Sequence, residues 1–273
     1  MPLCNLLIHL TGDDKTDARL RFAADLARSR GARITGLFAR IAPPRQVGVV
    51  SVWPPTDYLE AAAASRAAFA VATHGIDADW HDLNRGAEGE LIPQFVDFCR
   101  HFDLIVLGQP HGDDPLTPPD LAEQVIVQSG RPVLVLPFVG EFERVGTRPI
   151  FGWSDSRSSA RGFYDGMMLA TDAAEAVVVG LSRPGDAEAV TYQKESLRLA
   201  VGHLAAHKII AQPEQLSLSE IGLMDALLNL AADHGSDLLA IGAFGGGGYP
   251  LFSRGSGSRY MLKHMTLPVL FSH

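Results

Sequence analysis

Short apolar runs recur along the chain and predict strands that are buried on both faces of a parallel sheet. Between these runs lie longer segments with apolar residues three and four positions apart, which is the spacing of amphipathic helices. Strands and helices that alternate in this way pair in parallel through right-handed crossovers, so the pattern predicts an α/β fold. The predicted strands comprise residues 6–10, 33–38, 77–83, 103–108 and 132–136 in the first half, and residues 148–152, 175–181, 208–211, 237–241 and 268–272 in the second half.

Helical patterns cover residues 16–29, 58–74 and 256–264, among others. In the first of these, Leu20, Ala24 and Ala27 lie along one broad face, and the pattern ends before Gly31. The predicted helix therefore has an apolar side that can pack on the sheet.

The two halves of the chain repeat each other. Residues 102–108 read Phe-Asp-Leu-Ile-Val-Leu-Gly and match residues 236–242, which read Ser-Asp-Leu-Leu-Ala-Ile-Gly. Residues 18–26 correspond in the same way to residues 160–168, because each segment follows a short strand and a polar turn. The repeat predicts the unit β-α-β-α-β-α-β-α-β, present twice.

A chain of 273 residues has room for two domains of ordinary size. The repeat places them at residues 1–140 and 147–273, with a short polar link between them. Residues 42–55, which are rich in proline and contain Trp53, have no counterpart in the second half. We expect an irregular surface connection there, with a cover over a site or an interface as the alternative.

A spaced set of glycines follows the fourth predicted strand of the second half: Gly242, two residues, Gly245, nine residues, and then Gly255 and Ser256. The first two glycines stand at the carboxyl end of a strand, and the third stands at the start of a helix. Open α/β sheets bind ligands at this edge, because glycine lets the main chain approach closely and a helix amino terminus offers N–H groups to an anion. The spacing predicts a backbone cradle for the phosphates of a nucleotide.

These residues, continued by Ser258, Leu262 and the closing Pro-Val-Leu strand at residue 268, resemble the loop of the universal stress protein family. A weaker resemblance extends over the whole chain. It implies two Rossmann-like (adenine nucleotide alpha hydrolase-like) domains, each a five-stranded parallel sheet flanked by helices, in a pseudo-twofold arrangement. It also implies ATP, accompanied by Mg²⁺, as the ligand of the second domain, because some members hold ATP with this loop. Other members lack the loop and do not bind ATP.

The turn after the first strand of the second half departs from the family pattern. Members that bind ATP usually carry Asp-Gly-Ser there, with the aspartate near the adenine, whereas this chain has Ser154 in the aspartate position and Asp155 in the glycine position. Asp155 either crowds the base or substitutes for the missing aspartate by a small shift. Arg254 is either a phosphate ligand or a solvated arginine. Ser256 offers its hydroxyl to a phosphate, caps the helix, or does both.

The first half lacks this loop. Gly108 is followed by Gln-Pro-His-Gly, without a second glycine at the family spacing, and Pro119 and Asp120 stand where Gly255 and Ser256 stand in the second half. Proline has no N–H to donate, and aspartate repels phosphate. We therefore expect the first domain to bind no ATP in the family manner, and residues 118–120 to start a helix.

Charge, hydropathy and cysteine content argue against several classes of partner and site. The net charge of -8 argues against non-specific nucleic-acid binding, and no apolar run approaches the length of a membrane span. Cys4 and Cys99 fall in different predicted elements, which argues against a disulfide framework and fits a reducing cytoplasm. We expect a cytoplasmic protein without nucleic-acid or membrane partners.

The sequence contains no recognisable catalytic motif. It has no Walker Gly-Lys-Ser/Thr, no Ser-Gly-Gly-x-Asp-Ser loop and no Gly-x-Ser-x-Gly elbow, and the glycine loop offers no acid or base to a γ-phosphate. His203 and His207 have the helical spacing of a metal-ligand pair, but no third ligand is near in sequence, so we interpret them as a surface or interface pair. No catalytic or metal-binding residue is predicted, and a slow ATPase stays a remote alternative.

The sequence therefore predicts a stress-response regulatory protein whose second domain senses ATP or a related nucleotide. The alternative is a nucleotide-free scaffold that acts through a protein partner. In the family, closing strands commonly pair across a dimer, so we expect residues 132–136 and 268–272 to pair within this chain. That pairing gives a monomer with an internal pseudo-dimer, and a homodimer is the other arrangement.

Overall fold

The computed structural model describes residues 2–12, 16–47, 49–112, 114–182, 187–217, 222–245 and 255–273. The chain divides into two compact units, Pro2–Glu143 and Arg144–His273. The described residues form eight helices and, within each unit, a five-stranded parallel sheet. The predicted α/β fold class is confirmed.

The first unit has its strands in the order β7-β6-β1-β2-β5, all parallel. Its register places Leu6 opposite Leu104 on one side and Ile34 on the other. In chain order the elements are β1 (Asn5–Leu10), α1 (Thr16–Arg30), β2 (Arg33–Phe38), β3 (Arg45–Val47), β4 (Val50–Val52), α2 (Thr56–Ala72), β5 (Ala78–Asp82), α3 (Glu88–Cys99), β6 (Leu104–Gly108), α4 (Leu121–Gln128) and β7 (Val133–Leu136).

The second unit repeats this topology with the strand order β10-β9-β8-β11-β12. Leu239 lies opposite Ile150 on one side and Val269 on the other, as the repeat requires. Its elements are β8 (Pro149–Trp153), α5 (Arg157–Met167), β9 (Ala176–Ser182), α6 (Ala187–Ala206), β10 (Ala211–Ser217), α7 (Leu223–Asp233), β11 (Leu238–Gly242), α8 (Ser256–His264) and β12 (Val269–Ser272).

The central strands form the core of each unit. Leu6, Leu7 and Ile8 in β1 are fully buried, as are Leu238 and Leu239 in β11. Helices cover both faces of a sheet of this kind, which is why its central strands are continuous apolar runs rather than alternating patterns. Burial of these side chains supplies the main favourable contribution to folding of each unit.

One aspartate in each unit fixes the start of the central strand. Asp103 accepts hydrogen bonds from the backbone N–H groups of Cys4 and Asn5, at 3.0 and 2.9 Å. Asp237, its counterpart in the repeat, accepts backbone N–H bonds from Gly146, Thr147 and Arg148 at 3.1, 2.8 and 2.9 Å, and a further bond from the Thr147 hydroxyl. The aspartate that recurs in the sequence repeat therefore has the same structural role in both units.

Two segments differ from the sequence prediction. The strand expected at residues 208–211 is β10, which begins only at Ala211 and continues through Pro213. Proline is tolerated there because β10 is at the edge of its unit's sheet and the missing N–H breaks no central ladder. The insertion after β2, expected to be irregular, contains the antiparallel hairpin β3–β4, and Trp53 after it packs on Tyr58 with ring centroids 4.9 Å apart.

Candidate functional site

The amino terminus of α5 lies directly against the loop that follows β11. A Cβ atom on Gly242 would be 2.2 Å from the carbonyl carbon of Ser158 and 2.3 Å from the backbone nitrogen of Ser159. A Cβ atom on Gly245 would be 2.3 Å from the Ser158 hydroxyl oxygen. The packing of α5 therefore requires glycine at position 242, where the contact is with backbone, and the first turn of that helix lies at the mouth of the loop.

Gly255 shapes the other end of the loop. Its φ of 80° lies in the left-handed region that favours glycine, and a Cβ atom there would be 2.6 Å from Phe244 Cδ1. The backbone N–H of Phe244 donates to the Ser258 hydroxyl at 2.9 Å, which ties the carboxyl end of β11 to the first turn of α8. The contact with Phe244 thus brings Gly255 beside the segment that contains Gly242 and Gly245.

The Ser256 hydroxyl lies at the amino terminus of α8. Its oxygen is buried and has no hydrogen-bond partner among the described residues. Of the two roles considered from the sequence, the N-cap position of α8 is taken by Gly255 rather than by Ser256. The N–H groups of the first helical turn have no intrahelical acceptors, so the hydroxyl stands beside a set of backbone donors.

A chain of serine hydroxyls connects this loop to the turn after β8. The Ser154 and Ser156 hydroxyl oxygens are 3.1 Å apart, and those of Ser156 and Ser158 are 3.3 Å apart. Ser156 caps α5 by accepting from the backbone N–H of Ser159 at 3.1 Å, and the Ser159 hydroxyl accepts from Ser154 N–H at 3.0 Å. Only Ser154 of this set is a candidate from the sequence, although four serines within the six residues that follow β8 are a visible signal.

Asp155 is held away from the serine chain. It has a φ of 51°, so an aspartate has taken the left-handed conformation expected of glycine at this position. The Ser196 hydroxyl on α6 donates to its carboxylate, and the same hydroxyl accepts from the Trp153 indole N–H at 2.7 Å. This series of hydrogen bonds fixes the Asp155 carboxylate to α6.

Two arginines are near this loop in sequence, and the structure describes one of them. Arg254, the arginine singled out from the sequence, lies outside the described residues, as do the second to fourth glycines of the run that begins at Gly245. Arg259, in the first turns of α8, has its guanidinium 5.8 Å from the centroid of the Phe244 ring. Arg259 is not among the residues predicted from the sequence. It follows Ser256 by three positions, so the two residues lie on one side of the helix.

The corresponding place in the first unit is built differently. A Cβ atom on Gly108 would be 2.3 Å from Nη1 of Arg19, so an arginine side chain lies where the second unit has the backbone of α5. The helix α4 begins at Leu121, directly after the Pro118–Asp120 segment, and the Asp120 side chain makes no capping hydrogen bond.

The remaining sequence candidates have ordinary environments. The rings of His203 in α6 and of His207, which follows the end of that helix, lie 4.8 Å apart, and both residues are exposed. Among the described residues, no three His, Cys, Asp or Glu side chains are grouped so that they could hold a metal ion. None of the described helices combines the length and apolar character needed to cross a membrane.

Comparison with known proteins identifies the fold. No family model and no curated protein matches this chain. A universal stress protein from Archaeoglobus fulgidus DSM 4304 has a TM-score of 0.67 and 15% identity, covering 98% of this chain and 97% of its own. A functionally unknown protein from Pseudomonas aeruginosa PAO1 has a TM-score of 0.61 and 15% identity, covering 99% and 92%.

The first of these likenesses shows that the whole chain has the fold of that universal stress protein, and the second shows the same fold in a protein of unknown function. At 15% identity they establish the fold and leave the ligand open. A shorter universal stress protein from Archaeoglobus fulgidus, solved in complex with dAMP, is 23% identical and covers 50% of this chain and 98% of its own, with a TM-score of 0.36. Its dAMP is a property of that protein, and a score this low carries no conclusion about this chain.

Proposed function

We propose that this chain is a two-domain universal stress protein whose second unit binds an adenine nucleotide, with the phosphates at the amino terminus of α8. The whole-chain fold likeness supports the family assignment. The observation that carries the ligand assignment is the buried Ser256 hydroxyl, which has no hydrogen-bond partner in the part of the chain that the structure describes. Leaving a buried polar group unsatisfied costs about 1–3 kcal/mol, and a phosphate oxygen would accept this hydrogen bond.

The backbone around Ser256 favours an anion. A helix amino terminus carries a partial positive charge of roughly half an elementary charge, and its free N–H groups point along the axis toward an incoming phosphate. The left-handed Gly255 lets the chain enter α8 without a side chain over those N–H groups. Arg259 brings a guanidinium to the same loop, and Arg254 is proposed as a second cation.

The first turn of α5 adds a second helix amino terminus to the same place. Its contact with Gly242 and Gly245 is direct, so its positive end faces the loop from the side of β8. Ser156 already caps α5, which leaves the Ser154 and Ser158 hydroxyls as donors to a ligand. We assign the Ser158 hydroxyl to the sugar or the phosphates.

The base has a less complete site. Because Ser196 holds the Asp155 carboxylate, we propose that Asp155 orders the turn and that Ser154 is the polar group nearest the base. The preference for adenine, and for ATP with Mg²⁺ over its diphosphate or monophosphate, rests on the resemblance to the family. The proposed activity is reversible binding as a signal in a stress response, without hydrolysis, by a cytoplasmic protein.

Calorimetric titration of the full-length chain with Mg-ATP, ADP and AMP tests this proposal. Binding with one site per chain is expected, and Ser256→Ala should weaken it roughly tenfold, because a hydrogen bond to a charged group contributes about 1.5–3 kcal/mol. Ser236→Ala is the matched control, since that serine precedes β11 on the opposite edge of the sheet. Absence of heat with all three nucleotides, together with no nucleotide released from denatured protein, would replace this proposal with the scaffold that binds a protein partner.

A further inference from the structure

The first unit contains a cavity of about 550 Å³. It lies between α1, the carboxyl ends of β6 and β7, and the segment after β7, and the described residues that line it belong to the first unit. This volume is in the range of sites that enclose a small organic molecule. The sequence of the first unit predicts only a degenerate nucleotide loop and gives no sign of this cavity.

The cavity has a cause in the sequence of the two corresponding helices. In the second unit α5 packs on β8, β11 and β12, because Gly162 and Gly166 let it approach them closely. A Cβ atom on Gly162 would be 2.5 Å from the Ile241 carbonyl carbon, and one on Gly166 would be 2.7 Å from the Ala240 side chain.

In the repeat these two glycines correspond to Leu20 and Ala24 of α1. Side chains at both positions hold α1 farther from the sheet, and it packs on β1, β2 and β6. Space therefore remains beside α1, over the ends of β6 and β7.

The floor and walls of the cavity are defined by a few side chains. Arg19 extends from α1 over Gly108, donates from Nη2 to the Thr16 hydroxyl at 3.2 Å, and forms the floor. Phe22 and Leu121 supply apolar walls. Because Arg19 keeps its hydrogen bond to Thr16, the apolar body of a ligand can pack beside it.

Aromatic rings line the other wall. The rings of His111 and Phe138 lie 5.6 Å apart. Gly140 follows with a φ of 106°, and the Phe142 ring is 3.0 Å from where its Cβ would be. The left-handed glycine thus folds the segment so that Phe138 and Phe142 both line the cavity.

Carboxylates outnumber guanidinium groups around the cavity. Four carboxylates and two guanidinium groups line it, a net charge of -2 with the histidines neutral: Asp25, Asp114, Glu141, Glu143, Arg19 and Arg21. Asp25 is paired with Arg28, and Asp114 accepts from the backbone N–H groups of Leu116 and Thr117. Glu141 and Glu143 are exposed beside Phe142, where they can face an ammonium group.

We propose that this cavity is a second ligand site and that it takes a small organic cation with an aromatic body. The ring enters between Phe22 and Phe138, and the ammonium group lies near Glu141 and Glu143 and the face of Phe142. A nucleotide is excluded because its phosphates would face these carboxylates. The site is separate from the loop of the second unit, so it does not depend on the proposed nucleotide binding.

Three indole compounds of one ring system separate the contributions of shape and charge. Full-length protein is titrated with tryptamine, which is cationic, N-acetyltryptamine, which is neutral, and indole-3-propionate, which is anionic. We expect saturable binding of tryptamine, at least about tenfold tighter than binding of indole-3-propionate, since a tenfold ratio corresponds to about 1.4 kcal/mol. No binding of any of the three compounds at millimolar concentration, or tighter binding of the anion, would overturn the proposal.

Two pairs of variants locate the site. Ala18→Phe fills the cavity from α1 and should abolish tryptamine binding, whereas Ala64→Phe, at an exposed position of α2, should leave it unchanged. The double variant Glu141→Gln/Glu143→Gln keeps the shape and should weaken tryptamine about tenfold without affecting N-acetyltryptamine, and Glu60→Gln is its control. Unchanged tryptamine binding in Ala18→Phe, or equal loss of both compounds in the double variant, contradicts the proposed site.

Discussion

Asp155 illustrates how one side chain can satisfy a backbone requirement and a packing requirement together. Its left-handed φ would ordinarily favour glycine, and aspartate is among the few other residues that adopt it at low cost. The carboxylate then receives the Ser196 hydroxyl, which is also the acceptor of the Trp153 indole N–H. The result is a fixed turn at the entrance of α5, which is the helix that supports the loop.

Removing the Ser196 hydroxyl tests this interpretation. In Ser196→Ala the Trp153 N–H and the Asp155 carboxylate both lose a partner, so the free energy of unfolding should fall by about 1–3 kcal/mol. Chemical denaturation of the full-length protein measures it, with Ser236→Ala as the control. A loss equal to that of the control would mean that the three side chains form no functional network.

Cys99 gives a prediction for alkaline pH. Burial raises the pKa of its thiol above the ordinary value of 9.0, because the thiolate would be desolvated in the core. The folded state therefore keeps a proton that the unfolded state loses, and stability that is complete below pH 9 declines as the pH rises further. The decline contributed by one such group is up to about 1.4 kcal/mol per pH unit.

The variant Cys99→Ala should lose this part of the pH dependence between pH 9 and 10 while keeping the slope contributed by the other groups. Unfolding free energies at several pH values measure the difference in slope. In native protein at pH 8, a thiol reagent should modify the exposed Cys4 and leave Cys99 unmodified. Rapid modification of both cysteines would contradict the assigned burial.

The paired aspartates before β6 and β11 give a comparison between equivalent elements. Asp237 accepts four hydrogen bonds and Asp103 accepts two from the strand that each fixes. Asp237→Ala should therefore lower the free energy of unfolding by about 2–4 kcal/mol and Asp103→Ala by about half as much, since charged acceptors contribute more than neutral ones.

Denaturant unfolding measures both variants, and Asp233→Ala, at the exposed end of α7, should stay within about 0.5 kcal/mol of the original protein. If Asp103→Ala proves the more costly of the two, the number of hydrogen bonds does not determine the stability of these strand starts.

The order of helices and strands was predictable from periodicity, whereas edges and insertions were not. The bounds of β2 and α8 agree with the prediction, because both lie where apolar runs or cap signals are strong. The edge strand β10 is polar and contains Pro213, so no apolar run marks it. Of the site, the glycine spacing was visible in the sequence, but the contact of Asp155 with Ser196 spans 41 residues and depends on how α6 packs.

The whole molecule contains one topology used in two ways. In the second unit, glycines in α5 and in the loop bring two helix amino termini to the carboxyl edge of the sheet. In the first unit, Leu20 and Ala24 hold the corresponding helix away and leave a cavity with acidic and aromatic walls. In our proposals the same topology therefore forms an anion site in the second unit and a cation site in the first.

Hydrogen exchange of the full-length protein should separate the two sites. Saturating Mg-ATP is expected to slow exchange in β11 and the first turns of α5 and α8, because a ligand present at 100 times its dissociation constant stabilises its site by about 2.7 kcal/mol. Tryptamine should instead protect α1 and the end of β7. Protection of the same segments by both ligands would show that the sites are not distinct.

The most direct test of nucleotide binding at α8 uses Gly257, whose Cβ position lies 3.5 Å from the flexible end of Met224 and so admits a side chain. Aspartate in the first turn of a helix stabilises the helix, yet it would place a carboxylate beside the proposed phosphates. Calorimetry with Mg-ATP should therefore show binding to the original protein and to Gly257→Asn, and at least roughly tenfold weaker binding to the isosteric Gly257→Asp. Equal binding to both variants would contradict phosphate recognition at this helix.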